Sequence, residues 1–159
     1  MWRKKLKYEE YLKQFPNCPP AYYLEIEGLF FRWVHSSILP EDFTPLGLVS
    51  ETPQRILDDS DKSCMSYGLS LFNSPANALY RYKKLIKNMR GKFQREKFKQ
   101  EKGNTIASVA IQNDEGVAGD MSQETGHFTF HEYEGTNFAI KCQNLTGIFT
   151  EHGEIKSEI

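Results

Sequence analysis

Residues 22–35 read YYLEIEGLFFRWVH. The stretch opens in alternation, Leu24 and Ile26 against Glu25 and Glu27, and then turns continuously apolar. That is the pattern of a strand entering the middle of a sheet. Gly28 marks the change and is a candidate bulge. Arg32 stands alone inside the apolar run. A lone cation is costly to bury without a partner, so it must meet a carboxylate such as Glu132 or Glu134, reach the strand's end, or bind an anion. Its planar fork suits phosphate.

Outward from this strand the chain supplies a sheet and helices. Residues 2–15 predict a short amphipathic helix with Trp2, Leu6, Leu12 and Phe15 near one face, stopped by Pro16 and Pro19–Pro20. After the Pro-rich SSILPEDFTPLGL, Thr52–Pro53 opens a short helix through Leu57, closed by the acidic turn 58–61. CMSYGLSLF (64–72) reads as a second strand. Ser74 followed by Pro75 is a helix start, a capping hydroxyl before proline at the first helical position. Leu79, Tyr82, Leu85 or Ile86, and Met89 carry that helix to about residue 89. Residues 104–112 form a third strand and 113–126 a glycine-rich loop. HFTFHEYE (127–134) is a fourth strand and FAIKC (138–142) a fifth. The expectation is one α+β domain over 1–159: a central, largely antiparallel sheet with one main helix. Residues 1–20 form an N-terminal helix and Pro-rich connection, and 143–159 a C-terminal tail.

The composition, 39% apolar and 13% aromatic, argues for a packed core. No apolar run approaches the roughly 20 residues of a membrane span. The charged N-terminus is no secretory leader. Cys18, Cys64 and Cys142 are odd in number, far apart and without C-x-x-C spacing, which predicts reduced thiols, no zinc site and a cytoplasmic protein. The net charge of −1 hides an asymmetry: +8 over residues 81–102, −7 from residue 112 onward. In the basic segment Lys83, Lys84, Lys87, Arg90 and Arg95 alternate with Tyr80, Tyr82, Phe93 and Phe98. That mixture can track phosphates and stack bases, and it can equally be a solvated helix face.

Strand alternation in 127–134 sets His127, Thr129, His131 and Tyr133 on one face and Phe128, Phe130, Glu132 and Glu134 on the other. The second face begins as core and ends as carboxylate, the way a strand delivers acids to a cleft. At about 3.3 Å per residue the two histidines stand roughly 13 Å apart, too far to share one ion, so no metal is expected. In Tyr67-Gly68-Leu69-Ser70, Gly68 permits close backbone approach and Ser70 is a hydroxyl in an apolar strand.

In order, then, the chain has Arg32 on an early strand, Tyr67-Gly68-Leu69-Ser70 on a strand feeding a helix, and Glu132 and Glu134 on a late strand. This order resembles the small ADP-ribosyltransferase-like domains, including the NAD-consuming RES-type toxins. The resemblance implies that Arg32 grips the dinucleotide, Tyr67 or Ser70 lies near the nicotinamide with Tyr67 or Trp33 against its ring, and Glu132 or Glu134 completes the site. Its Ser-Thr-Ser run and Gln-x-Glu pair are absent here, with His131-Glu132-Tyr133-Glu134 in place of the latter. The implied function is ADP-ribosyl transfer to a protein or nucleic-acid acceptor, or NAD glycohydrolysis, in a toxin or defence effector, with NAD as substrate. The alternatives are a non-enzymatic module that uses residues 81–102 to bind nucleic acid or an acidic protein, and a purely structural protein.

Overall fold

The computed structural model describes residues 4–49 and 58–159. Six strands form one antiparallel sheet: β1 (Gly28–Val34), β2 (Leu69–Phe72), β3 (Thr105–Ile111), β4 (Gly116–Ala118), β5 (His127–Glu132) and β6 (Gln143–Gly147). Their order is β4-β5-β2-β1-β3-β6, which puts β1 inside the sheet. The α+β class read from the sequence holds. β1 pairs with β3 in unbroken register from Gly28↔Ile111 to Val34↔Thr105, so Gly28 opens the strand and does not bulge it.

Four α-helices lie among the described residues: α1 (Glu9–Leu12), α2 (Ser60–Met65), α3 (Pro75–Asn88) and α4 (Lys92–Lys102). None is long and apolar enough to cross a membrane. The start of α3 is as the sequence predicts, with Pro75 in the first turn and the Asn77 amide donating to Ser74 Oγ at 3.0 Å. Gly91, at φ +93°, separates α3 from α4, and the basic segment continues as this second helix.

Each sheet face has its own core. Phe30, Val34, Leu69, Leu71, Val109, Phe128 and Phe130 point to one side, under Phe43 and Phe138 from two 3-10 turns, Pro40–Phe43 and Phe138–Ile140. On the other side Phe72 and Ile106, with Phe31 and Trp33, meet Ala78, Leu79 and Tyr82 of α3 and Phe98 of α4. Each such aromatic contributes about 1.5–3 kcal/mol by burial. The N-terminal segment packs Leu6 and Leu12 with Tyr23, Val117 and Tyr133 in a third cluster.

Several elements differ from the sequence reading. Of the expected helix 2–15, only Glu9–Leu12 is α-helical among the described residues. Residues 5–7 lie extended along β5: the Lys7 amide donates to the Glu132 carbonyl at 2.9 Å and the Glu134 amide to Lys5 at 2.8 Å. β2 stops at Phe130's level, so the rest of β5 offers open backbone groups, and these outweigh the helical period of the segment. Cys64 and Met65 belong to α2, whose N-cap is Asp59 from the acidic run read as a turn; its carboxylate accepts from the Asp61 and Lys62 amides. The helix expected at Thr52–Leu57 lies outside the described residues. The glycine-rich loop contains β4, and FAIKC is a 3-10 turn, with the strand displaced to Gln143–Gly147 in the expected tail.

The cysteines overturn their reading. Cys18 and Cys64 form a disulfide across 46 residues of chain, and Cys142 is free. Spacing in sequence says nothing about a Cα–Cα separation of 5.8 Å brought about by folding. Closing a loop of that length should stabilise the fold by about 3–4 kcal/mol. Urea unfolding of the oxidised protein should therefore have a clearly higher midpoint than the reduced protein or Cys64→Ser. Coincident midpoints would show that the crosslink does not restrain the unfolded chain.

Candidate functional site

Alternation along β1 places Arg32 on the same face as Phe30 and Val34, and alternation along β5 places Glu132 after Phe128 and Phe130. Both charges thus enter the same apolar face, on strands that flank β2. Arg32 Nε donates to the Asp42 carbonyl at 2.6 Å and Nη1 to the Ser70 carbonyl at 2.8 Å. Its guanidinium lies 5.7 Å from the centre of the Phe43 ring. Burial draws its pKa down to about 10, while the charges of Glu132 and Asp42 resist.

Glu132 is 3% exposed. Its Oε2 accepts from Lys7 Nζ at 3.1 Å, and the same ammonium donates to the Thr136 carbonyl at 2.6 Å. Oε1 is buried with no hydrogen-bond partner among the described residues. Burial raises the carboxyl's pKa, Lys7 and then Arg32 pull it down, and Glu115 pushes it up. The carboxylate expected against Arg32 is thus held by Lys7, and the two hydrogen bonds of Arg32 go to carbonyls.

The other expected residues separate. Ser70 alternates with Leu69 and Leu71, so its side chain leaves the Arg32 face and is exposed; only its carbonyl reaches the site. Tyr67 stacks on Tyr11, with ring centroids 5.4 Å apart, and touches Phe15 in the N-terminal layer. Glu134 is exposed beyond the end of β5. Trp33, on the opposite face, donates to the Ala78 carbonyl at 2.9 Å. His131 is 2% exposed, and burial lowers its pKa to about 4, which makes it a neutral ring packed 5.8 Å from Tyr23. Among the described residues no three His, Cys, Asp or Glu side chains cluster as metal ligands.

A groove of about 610 Å³ opens between the two 3-10 turns, lined by Lys7, Tyr8, Leu39, Phe43, Thr136 and Phe138 among others. Phe43 lies over Arg32 and Lys7 on Glu132, so each charge is one side chain from the groove.

Of the basic residues, Lys83 donates to the Ser157 carbonyl at 2.9 Å, Lys84 pairs with Glu124, and Arg95 donates to the Met89 carbonyl at 3.3 Å. Lys87 and Arg90 are exposed. Of the interleaved aromatics, Tyr82 and Phe98 are core, and Tyr80 and Phe93 are exposed.

The sequence reading passed over Lys7, His35 and Asp42. Asp42, 5% exposed, accepts from the Leu39 amide at 2.8 Å and from His35 Nδ1 at 2.6 Å. His35 Nε2 lies 2.7 Å from the Gln100 carbonyl on α4. Both ring nitrogens therefore face acceptors, an arrangement that only the imidazolium satisfies fully. Burial alone would lower the His35 pKa, but the Gln100 carbonyl and the Asp42 carboxylate raise it above 6.5. A raised folded-state pKa gives stability that is fully present below about 6.5 and lost as pH rises through the folded value. Relative to His35→Gln, the wild type should be most favoured near pH 6 in urea unfolding and lose that advantage by pH 8.5. A difference that grows toward alkaline pH would remove the imidazolium.

No protein-family model matches the chain, and no curated protein or solved structure shows significant similarity to it.

Proposed function

We propose that the chain consumes NAD, transferring its ADP-ribosyl group to an acceptor or to water. The observation that supports this most is the entry of Arg32 and the buried Glu132 into one face of the sheet, on strands flanking β2 and beside a groove. Cleaving the nicotinamide glycosidic bond passes through an oxocarbenium-like state. A carboxylate held ready in a dry site can accept a ribose hydroxyl and stabilise the developing positive charge, and Glu132 is that group. The Asp42 and Ser70 carbonyls take two of the five N–H donors of Arg32, which leaves donors for a pyrophosphate. With Tyr67 and Trp33 engaged elsewhere and Phe43 and Phe138 buried in the core, Tyr8 is the groove aromatic that would meet the nicotinamide ring.

The toxin or defence role rests on the family resemblance alone. The cytoplasmic setting, inferred from unpaired cysteines, loses that support, because a Cys18–Cys64 disulfide fits an oxidising compartment better. The binding-module alternative keeps the exposed Lys87 and Arg90, but most of the other cations named for it are spent on internal contacts.

Purified protein should release nicotinamide from NAD, alone or with an acceptor from cell extract, followed by chromatography. Arg32→Ala and Glu132→Gln should each lower the rate by about 100-fold or more. Glu134→Gln and Tyr67→Phe should leave it essentially unchanged, all four variants being checked by thermal melts. Absence of release under both conditions overturns the reading.

A further inference from the structure

We propose that Lys7 is a positioning residue for Glu132: the N-terminal segment delivers its ammonium to Oε2, which orients the buried carboxyl, favours its charged form and leaves Oε1 uncommitted. This rests on the NAD reading for its purpose, though not for its geometry.

Residues 5–7 run as a short strand against the end of β5, with Leu6 opposite Tyr133. Alternation then sends Leu6 into the cluster of Leu12, Tyr23 and Tyr133 and turns Lys7 to the other face, where Glu132 lies. Backbone pairing therefore fixes which face the lysine serves. Its second bond, to the Thr136 carbonyl, fixes where the ammonium sits, so the charge is held from two sides and not left on a free stem. Anchoring Leu6 and tying Cys18 to Cys64 hold the segment that carries it.

The charged and titratable groups facing Glu132 come from three directions. The N-terminal segment contributes Lys7 and Tyr8, whose hydroxyl is pushed up to about 12 by burial and by the Glu132 charge, and so stays neutral. β1 contributes Arg32, whose bonds go to carbonyls. The turn before β4 contributes Glu115, which is held by Lys141 at 2.5 Å and pushes the Glu132 pKa upward. Lys7 is the cation among them that touches the carboxylate. Without it, burial and Glu115 act against ionisation, with only the non-contacting Arg32 opposing.

The test is a carboxyl ¹³C NMR titration of the full chain, with the Glu132 signal identified by its loss in Glu132→Gln. Lys7→Met should raise the Glu132 midpoint by about 1–2 pH units, and Lys7→Arg should restore it. The acid limb of nicotinamide release should move to higher pH by the same amount. An unmoved midpoint overturns the proposal, as does faster release by Lys7→Met, which would make the lysine a plug. If the wild type releases no nicotinamide, the NAD reading fails while the midpoint still decides for or against Lys7.

Discussion

A half-buried cation in the middle of a sheet is the constraint from which much of this structure follows. Arg32 shares its face with Phe30, Val34, Leu71 and Phe128, where its inner donors need acceptors. The Ser70 carbonyl comes from the next strand at no extra cost in chain. The Asp42 carbonyl requires the Pro40–Phe43 turn to fold back over β1, and that brings the Phe43 ring over the guanidinium. Asp42 then lies buried, and its carboxylate needs donors of its own, which the Leu39 amide, the His35 amide and the His35 ring supply. The ring's other nitrogen reaches Gln100, and so the end of α4 joins the same chain of dependence. Gly103 shows how closely that end is drawn in: at φ +87°, a Cβ on it would sit 2.1 Å from the Val34 carbonyl oxygen. One arginine thus ties together strand, turn and helix, each satisfying the group that the previous one buried.

What the sequence disclosed follows the range of the forces involved. The start of α3 and the apolar strands β1, β3 and β5 depend on neighbours within a few residues, and they were legible. The N-terminal segment was not, because its conformation is chosen by open backbone groups on β5, more than a hundred residues away. β4 has three residues and no pattern to announce it. The pairing of Cys18 with Cys64 is of the same kind. In the site, Arg32 and Glu132 showed themselves as charges in apolar strands. Ser70 and Tyr67 were misplaced by their apparent membership of one strand, since Tyr67 precedes β2 and Ser70 faces away. Lys7, His35 and Asp42 had no signal, because an ordinary lysine, histidine and aspartate become distinctive only through what they touch.

The charge asymmetry of the chain resolves in part by internal neutralisation. The acidic C-terminal third meets the basic segment where Lys84 pairs with Glu124 and where Lys83 reaches the Ser157 carbonyl. Within α4, Lys99 and Glu96 lie 3.2 Å apart, an exposed pair worth only a few tenths of a kcal/mol. The two halves of the charge pattern therefore touch at these two points. Lys87, Arg90 and Lys92 stay exposed, so part of the basic segment still faces outward.

His131 and Glu132 are adjacent, both about as buried as a residue can be, and they solve the same problem in opposite ways. His131 gives up its charge: burial lowers its pKa to about 4, and the neutral ring fills space against Tyr23. A glutamate could do the same by staying protonated, and an apolar residue at that position would avoid the issue altogether. Glu132 is instead met by a lysine that is itself held in place by a carbonyl and by a strand of backbone pairing. Maintaining a charge in such surroundings takes several side chains and yields little stability, since an apolar replacement of a buried ion pair is often neutral or better. The arrangement makes physical sense where the negative charge itself is used. Among the described residues one oxygen of Glu132 stays uncommitted, and the lysine that holds the other lines the groove, so the two neighbours differ in what they keep: His131 its packing, Glu132 a charge.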